Sequence, residues 1–252
     1  MTVLRNASEV LRLFGSGCTD LTVTEVTARL DMPKANASRL MKAMRDVGML
    51  ETIGGSRRHR PGRMMLDLAA AFRKSSGMIG RAGEVVAEVT RRFGHTGYVS
   101  VREGREVTGV ADFPGTNDLR VVSSIGRRLT AHGSATGRTL LARLSDAEVL
   151  ELYDGRPEAE GLIARLDRVR AQGFALSLQE STPGVDAIAI AVGDPATDEA
   201  VSLCIAYPHA VVDDAGRDEM LAALADGAAR IADELGDGKF VAPRITEKGL
   251  LA

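Results

Sequence analysis

Side chains that can hydrogen-bond to nucleic acid recur over one short stretch of this chain: Lys34, Asn36, Ser38, Arg39 and Lys42. Arginine and lysine suit the acceptors of guanine, asparagine suits adenine, and serine takes either base. If the stretch is a helix, its N-terminal residues are the ones that reach base edges. We therefore expect the first four residues to read DNA sequence and Lys42 to bind phosphate.

A second basic group lies on a predicted hairpin. Arg57, Arg58 and Arg60 follow the tight turn expected at Gly54-Gly55. Arginines on such a hairpin can lie against phosphate or enter the minor groove. The alternative is a basic hairpin that only faces solvent. The helices that precede the hairpin favour the DNA-binding interpretation.

Two predicted helices position the first group. Thr22 followed by Glu25 indicates a capping box, which begins a short helix that ends near Asp31. Pro33 occupies a first-turn position of the next helix, where its missing N–H costs nothing, and this helix runs roughly to Val47. Its apolar positions share one face: Ala37, Leu40, Met41 and Met44. Helix, turn, helix and basic hairpin together predict a winged helix-turn-helix.

The charges divide the chain into a basic front and an acidic rear. Residues 1–75 carry 13 Lys and Arg against 7 Asp and Glu, and residues 76–252 carry 19 against 27. This asymmetry predicts a DNA-contacting module joined to one that does not touch DNA, with chance clustering on solvated faces as the alternative. A length of 252 residues allows one large domain or two ordinary ones.

Cysteine usage and the first residues of the chain predict a cytoplasmic location. Cys18 and Cys204 lie far apart without metal-ligand spacing, which fits a reducing compartment. The first residues lack a signal-peptide core, and no apolar run is long enough to cross a bilayer, so we expect no membrane contact. His95 and His209 show no partner spacing, and we expect neither a metal nor a cofactor.

The rear of the chain alternates strand and helix patterns. A hairpin is predicted from Gly97–Arg102 and Glu106–Asp112, and a third short strand from Arg120–Ser123. The other elements are predicted as helices at Arg63–Ser75, about Ile79–Phe93, Ser134–Leu144, Asp146–Tyr153, Leu162–Gln172 and about Asp214–Leu235, and as strands at Phe174–Gln179, Val185–Val192 and Ala200–Ala206. This order predicts an α+β fold with a mainly antiparallel sheet, close to GAF or PAS-type small-molecule sensors.

The helix predicted at Ser134 offers a candidate anion site. Its start, Ser134-Ala135-Thr136-Gly137, has small side chains, and free N–H groups and the helix dipole point to that end. Such a start could bind a carboxylate at close range. An ordinary capped helix start is the alternative that the residues alone leave open.

These motifs together resemble the IclR family of bacterial transcriptional regulators over nearly the whole chain. In the front, the resemblance rests on the T-x-x-E-V helix, on Pro33-Lys34, and on His59-Arg60-Pro61-Gly62, where relatives have a Tyr-Arg-Leu-Gly-like tetrapeptide and Pro61 replaces the usual Leu. In the rear, the matching motifs follow one another as Ile125-Gly126-Arg127-Arg128-Leu129, His132–Arg138, Gly173-Phe174-Ala175, Glu180, Gly184-Val185 and Ala187-Ile188-Ala189.

The resemblance implies three parts: a winged helix-turn-helix at residues 1–62, a helical linker at 63–94 and a GAF-like effector-binding domain at 95–252. It also implies homodimers or homotetramers on palindromic double-stranded DNA operators, often beside catabolic genes. Effectors in the family are mostly small organic acids or aromatic metabolites, and many members repress while some activate. We therefore expect a ligand-responsive repressor of catabolic genes.

Alignment with the family places the effector-binding positions on ten residues: Val121, Leu129, Ser134, Ala135, Thr136, Gly137, Ser177, Ala187, Cys204 and Ala206. Ser177 stands where relatives often have Asp, so a hydroxyl replaces a negative charge. Ala187 and Ala206 also replace more polar residues. The expected pocket is less polar and roomier, which favours a larger or aromatic effector over a two- or three-carbon acid. For Cys204, a buried strand cysteine is favoured over a reactive thiol or metal ligand.

Two other classes of protein remain as alternatives. One is an enzyme with an accessory DNA-like domain, but no nucleophile elbow, phosphate loop, paired carboxylates or metal set supports it. The other is a winged-helix adaptor that binds another protein. A salt-dependent shift of promoter DNA separates a regulator from both classes.

Overall fold

The computed structural model describes residues 2–15, 18–122 and 125–244, and the chain divides into two compact units. The first unit spans residues 1–75 and the second spans residues 76–252. Each unit has its own hydrophobic core. The segment predicted as a linker, residues 63–94, contributes one helix to each unit.

The first unit is a helix-turn-helix followed by a small antiparallel sheet. Its elements are α1 (Val3–Gly15), β1 (Leu21–Thr22), α2 (Val23–Leu30), α3 (Lys34–Asp46), β2 (Leu50–Thr52), β3 (Arg58–Pro61) and α4 (Arg63–Ser75), with strand order β1-β3-β2. The apolar face predicted for the second helix of the motif is buried in this unit's core. The hairpin formed by β2 and β3, residues 50–61, is called the wing below.

Local hydrogen bonds set the turn between α2 and α3. The predicted capping box is confirmed: the Thr22 amide donates to Glu25 Oε2 at 2.7 Å, and the Glu25 amide donates to Thr22 Oγ1 at 3.2 Å. Asp31 closes α2 in the left-handed region with φ 47°. Pro33 lies one residue before α3 rather than in its first turn, because its ψ of 132° is extended.

The second unit is built on one antiparallel sheet of six strands. Its elements are α5 (Gly77–Phe93), β4 (Thr96–Glu103), β5 (Glu106–Phe113), β6 (Arg128–Thr130), α6 (Ala135–Leu141), α7 (Asp146–Leu152), a short 3-10 turn (Pro157–Ala159), α8 (Leu162–Gln172), β7 (Ala175–Leu178), β8 (Val185–Asp194), β9 (Glu199–Pro208) and α9 (Asp214–Leu235). The strand order is β6-β5-β4-β9-β8-β7, and every pairing is antiparallel. The predicted α+β class is confirmed.

The strand predicted at Arg120–Ser123 is wrong in its described part. Residues 120–122 form a loop, and Ser123 lies outside the described residues. The carbonyl of Val121 accepts from the Thr96 hydroxyl at 2.6 Å, so a side chain takes the place of a strand partner. In the second unit, the third strand along the chain is β6, which begins at Arg128 and pairs with β5.

The two faces of the sheet carry different side chains because residues alternate along each strand. Large apolar residues such as Ile188, Leu203 and Ile205 face α5 and α9 and form the main core. Small residues face the other side, toward α6: Ala187, Ala189, Cys204 and Ala206. The small side chains leave room between the sheet and the start of α6.

The free edge of the sheet at β7 is covered by side chains of the same unit. The Leu176 carbonyl accepts from the Arg138 guanidinium, which also pairs with Glu180. The Phe174 carbonyl, just before β7, accepts from Gln172 Nε2 at 2.8 Å. An edge occupied in this way is a poor template for pairing with another chain.

Candidate functional site

The exposed part of α3 carries all five residues predicted to contact DNA from this helix. Lys34, Asn36, Ser38, Arg39 and Lys42 are all exposed, while the opposite face of the helix is buried. Arg39 Nη2 donates to Asn36 Oδ1 at 2.7 Å. This pair orients the Asn36 amide, so its NH₂ group points away from Arg39 and remains available to an external acceptor.

The three arginines of the wing do not share one environment. Arg58 pairs with Asp20 and, at 3.4 Å, with Glu25, while Arg60 Nε pairs with Glu51 Oε1 at 2.6 Å. Arg57 is exposed and has no hydrogen-bond or ion-pair partner in the described part of the chain. Arg57 is therefore the wing guanidinium that is free to bind a phosphate. Arg58 and Arg60 would first have to release their carboxylate partners.

The carboxylate of Glu25 links the helix-turn-helix to the wing. Its pKa lies below the ordinary value because the Thr22 amide and hydroxyl donate to it, and the charge of Arg58 adds to this effect. The carboxylate therefore stays ionised at neutral pH. Glu25 thus caps α2 and also pairs with Arg58 of β3.

The second unit contains a pocket between the alanine-rich face of its sheet and the start of α6. It is lined by Tyr98, Ser100, Val107, Gly109, Val121, Val122, Arg127, Leu129, Ser134, Ala135, Thr136, Ser177, Ser181, Thr182, Val185, Ala187 and Ala206. Eight of the ten residues predicted for effector binding lie in this lining. The two that do not are Gly137 and Cys204.

Gly137 and Cys204 lie just behind the pocket wall. A Cβ atom at Gly137 would come within 2.2 Å of the Ala131 carbonyl oxygen, so glycine lets the start of α6 approach that backbone. Cys204 is fully buried next to its strand partner Tyr98. Burial raises the pKa of the Cys204 thiol to about 12, so the thiol is neutral at physiological pH. A neutral, enclosed thiol matches the predicted buried strand cysteine.

The predicted anion cradle at Ser134 is partly occupied by its own hydrogen bonds. The Ser134 hydroxyl donates to the Thr130 carbonyl at 2.9 Å and accepts from the Gly137 amide at 3.1 Å. The amides of Ala135 and Thr136 stand in the first turn, where the helix supplies no acceptor. The cradle therefore offers two neutral amides to a ligand.

Residues 180–182 contact the segment 127–138 through side-chain hydrogen bonds, and Ser181, Thr182 and Arg127 belong to the pocket lining. Ser181 donates to the Gly133 carbonyl at 2.9 Å, and Arg127 Nη2 donates to Thr182 Oγ1 at 2.9 Å. Glu180, the preceding residue, pairs with Arg138. Three consecutive residues, 180–182, are thus held to the segment 127–138.

The sequence prediction omitted several lining residues, and three of them have a signal in the sequence. Tyr98 and Ser100 lie two residues apart on β4, and side chains at this spacing point to the same face of a strand. Arg127 lies in a motif that carries the family resemblance. Ser181 and Thr182 lie in a bend, and their place in the lining depends on tertiary packing.

Among the described residues, no group of three or more His, Cys, Asp and Glu side chains could hold a metal ion. No helix in that part of the chain is long and apolar enough to span a membrane.

Comparison with known proteins gives consistent matches in both units. The family model described as "IclR helix-turn-helix domain" matches residues 3–54, and "Bacterial transcriptional regulator IclR C-terminal" matches residues 71–233. The HTH-type transcriptional regulator XynR of Escherichia coli (strain K12) is 26% identical over 222 residues, which cover 84% of this chain and 88% of XynR.

Solved structures share the fold at lower identity. An IclR transcriptional regulator from Alicyclobacillus acidocaldarius is similar with a TM-score of 0.80 and 22% identity, covering 92% of this chain and 97% of that one. An IclR homolog from Microbacterium hydrocarbonoxydans, solved in complex with 4-hydroxybenzoate, has a TM-score of 0.76 and 20% identity over 93% of this chain and 99% of its own.

Proposed function

The chain belongs to the IclR family of bacterial transcriptional regulators, which are not enzymes, and from this premise we propose that it is a ligand-responsive repressor of catabolic genes. It acts in the cytoplasm, where bacterial DNA lies. An effector that binds one arrangement of the DNA-binding units more tightly shifts the population toward that arrangement and changes operator affinity.

The observation that carries the DNA-binding proposal is the exposed surface of α3. Two lysines, an arginine, an asparagine and a serine share this surface on a helix whose other face is fixed in the core. Arg39 and Asn36 present base-reading groups near its N-terminal half, and Lys42 adds a charge for the backbone. Arg57 on the wing supplies a further phosphate contact.

We expect Arg39→Ala to weaken binding to DNA upstream of the protein's own or neighbouring genes by about ten- to a hundredfold, because a base contact and the support of Asn36 are both lost.

Lys42→Ala should weaken binding to all sequences alike and reduce the slope of affinity against salt concentration by about one. Electrophoretic mobility shifts over a series of salt concentrations measure both effects.

Arg12→Ala is the matched control for these variants. It removes one charge from the same unit, at an exposed position of α1 where Arg12 pairs with Glu9 at 2.9 Å. Its DNA affinity should stay within about threefold of the parent, since exposed ion pairs contribute little. Absence of any shift by the parent protein at low salt would sink the proposal.

We infer that the effector is a small organic acid, with aromatic acids preferred over two- and three-carbon ones. The support is the lining: eight of its 17 residues are Val, Leu or Ala, and seven of its eight polar side chains are hydroxyls. A relative of the same fold binds 4-hydroxybenzoate. Calorimetric titration should give tighter binding of benzoate and 4-hydroxybenzoate than of acetate and pyruvate, and binding of the shortest acids alone would contradict this preference.

We also propose that the protein works as a homodimer on a palindromic operator, with the tetramer as the alternative. The support is an apolar stripe on α4 formed by Met64, Leu68 and Phe72, which lie four residues apart and are 37%, 57% and 52% exposed. Residues at this spacing share one helix face. A second copy of the same stripe would cover it, and a two-fold pair of α3 helices matches a palindrome.

A further inference from the structure

Arg127 carries the only permanent charge in the described pocket lining. We propose that Arg127, an exposed residue of the lining, binds the anionic group of the effector, so that the pocket selects acids over neutral molecules of the same shape. This inference rests on the proposed function and adds a specificity-determining residue to it.

The Arg127 guanidinium is held by a weak, neutral partner. Its Nη2 donates to the Thr182 hydroxyl, and no carboxylate pairs with it in the described residues. Its neighbour Arg128, in contrast, pairs with Glu106 at 2.7 Å. A guanidinium has five donors in a planar fork, and a carboxylate accepts two of them in a stronger, charge-assisted pair. An entering carboxylate can therefore replace Thr182 as the acceptor.

The charge of Arg127 also acts on the interior of the pocket. Burial raises the pKa of Tyr98, and the nearby thiol of Cys204 raises it further, while the positive charge of Arg127 opposes both effects. The guanidinium is therefore close enough to influence a phenol in the lining. Arg127 is exposed, whereas the apolar lining residues Val107, Ala135 and Ala187 are buried.

The rest of the lining favours Arg127 as the group that binds a negative charge. The walls include Val107, Leu129 and Ala187, and an anion placed among them would lose its hydration without a counter-charge. At the start of α6, Ser134 already uses its hydroxyl as donor and acceptor, and the helix has only seven residues. Its two free amides can donate hydrogen bonds to an effector oxygen, but they carry no full charge, so Arg127 supplies the counter-charge for an acid.

The test is calorimetric titration of the full chain with matched acids and amides: benzoate and benzamide, 4-hydroxybenzoate and 4-hydroxybenzamide, butyrate and butyramide. The parent protein should bind at least one acid about tenfold or more tightly than its amide. Arg127→Gln should lower the affinity for that acid by about ten- to a hundredfold and change the affinity for the amide by less than about threefold. Arg128→Gln is the matched control, because it removes the adjacent charge outside the lining, and it should leave both affinities unchanged.

Equal losses of affinity for the acid and the amide in Arg127→Gln would overturn the inference. A parent protein that prefers no acid over its amide would overturn it too. A parent protein that shifts operator DNA but lacks this preference would contradict the role of Arg127 and leave the regulator proposal intact. A preference for acids that depends on Arg127, in a protein that shifts no DNA, would support the role of Arg127 and count against the regulator proposal alone.

Discussion

Replacing Leu68 by glutamate is expected to leave the chain folded, to separate the dimer, and to weaken binding to a palindromic operator by about a hundredfold or more. The side chain is 57% exposed in a single chain, so the substitution removes little internal packing. In a dimer it would bury an unpaired carboxylate at the centre of the α4 stripe. Each chain would then bind its half-site alone, without the gain from linking two contacts.

Sedimentation velocity and a mobility shift at equal protein concentration measure the two parts of this prediction. Ala70→Glu is the control, because it adds the same charge to the opposite side of α4, two residues away. It should leave mass and operator affinity unchanged. A Leu68→Glu protein that stays dimeric with full affinity would show that another surface joins the copies.

Replacing Asp237 by alanine is expected to reduce the free energy of unfolding of the second unit by about 3–5 kcal/mol, because it leaves a partner charge buried without compensation. The Asp237 carboxylate is 1% exposed and accepts two hydrogen bonds from Arg143, at 2.9 and 2.7 Å. It also accepts from the Gly193 amide at 2.7 Å and from the Lys239 amide at 3.1 Å. The residue thus joins the segment that follows α6, the end of β8 and the segment that follows α9.

Urea unfolding followed by circular dichroism measures this loss. Asp233→Ala, at an exposed position of α9, should change stability by less than about 0.5 kcal/mol. The double variant Asp237→Ala with Arg143→Met should recover part of the loss, since it removes the stranded charge. Equal stability of Asp237→Ala and the parent would mean that water replaces the carboxylate without cost.

The same carboxylate makes the second unit sensitive to acid. Burial by itself raises the pKa of Asp237, but the hydrogen bonds and charge of Arg143 and the two amides outweigh it, so the pKa lies below its ordinary value of 3.8. A lowered folded-state pKa means that the stabilisation is present above 3.8 and is lost as pH falls below it. Asp237→Ala should therefore remove part of the acid sensitivity of unfolding below that pH.

Local patterns in the sequence predicted much of the fold. Thr22 and Glu25 form the capping box three residues apart, and the helices predicted at Leu162–Gln172 and Asp214–Leu235 have those bounds in the structure. These features depend on caps and on helical periodicity within one stretch of chain. The apolar face of α3 was predicted for the same reason.

Features that depend on distant residues were missed. The sequence places Arg58 and Arg60 beside glycines in a hairpin, but their carboxylates come from Asp20, Glu25 and Glu51 through the register of the three-stranded sheet. The two valines after Arg120 favour a strand by propensity, yet the Val121 carbonyl accepts a hydrogen bond from the Thr96 hydroxyl instead of from a neighbouring strand. The hydrogen bond from Arg127 to Thr182 joins residues 55 positions apart.

Alternate residues of β8 and β9 belong either to the main core or to the pocket, and this separation affects how such a protein can evolve. Neighbouring residues on these strands belong to different faces, so Ile188 and Ile205 hold α5 and α9 while Ala187 and Ala206 line the pocket. A mutation that enlarges one of the alanines reshapes the ligand site without touching the main core. New ligand preferences can therefore arise by single steps at these positions while selection for folding acts on the alternate ones.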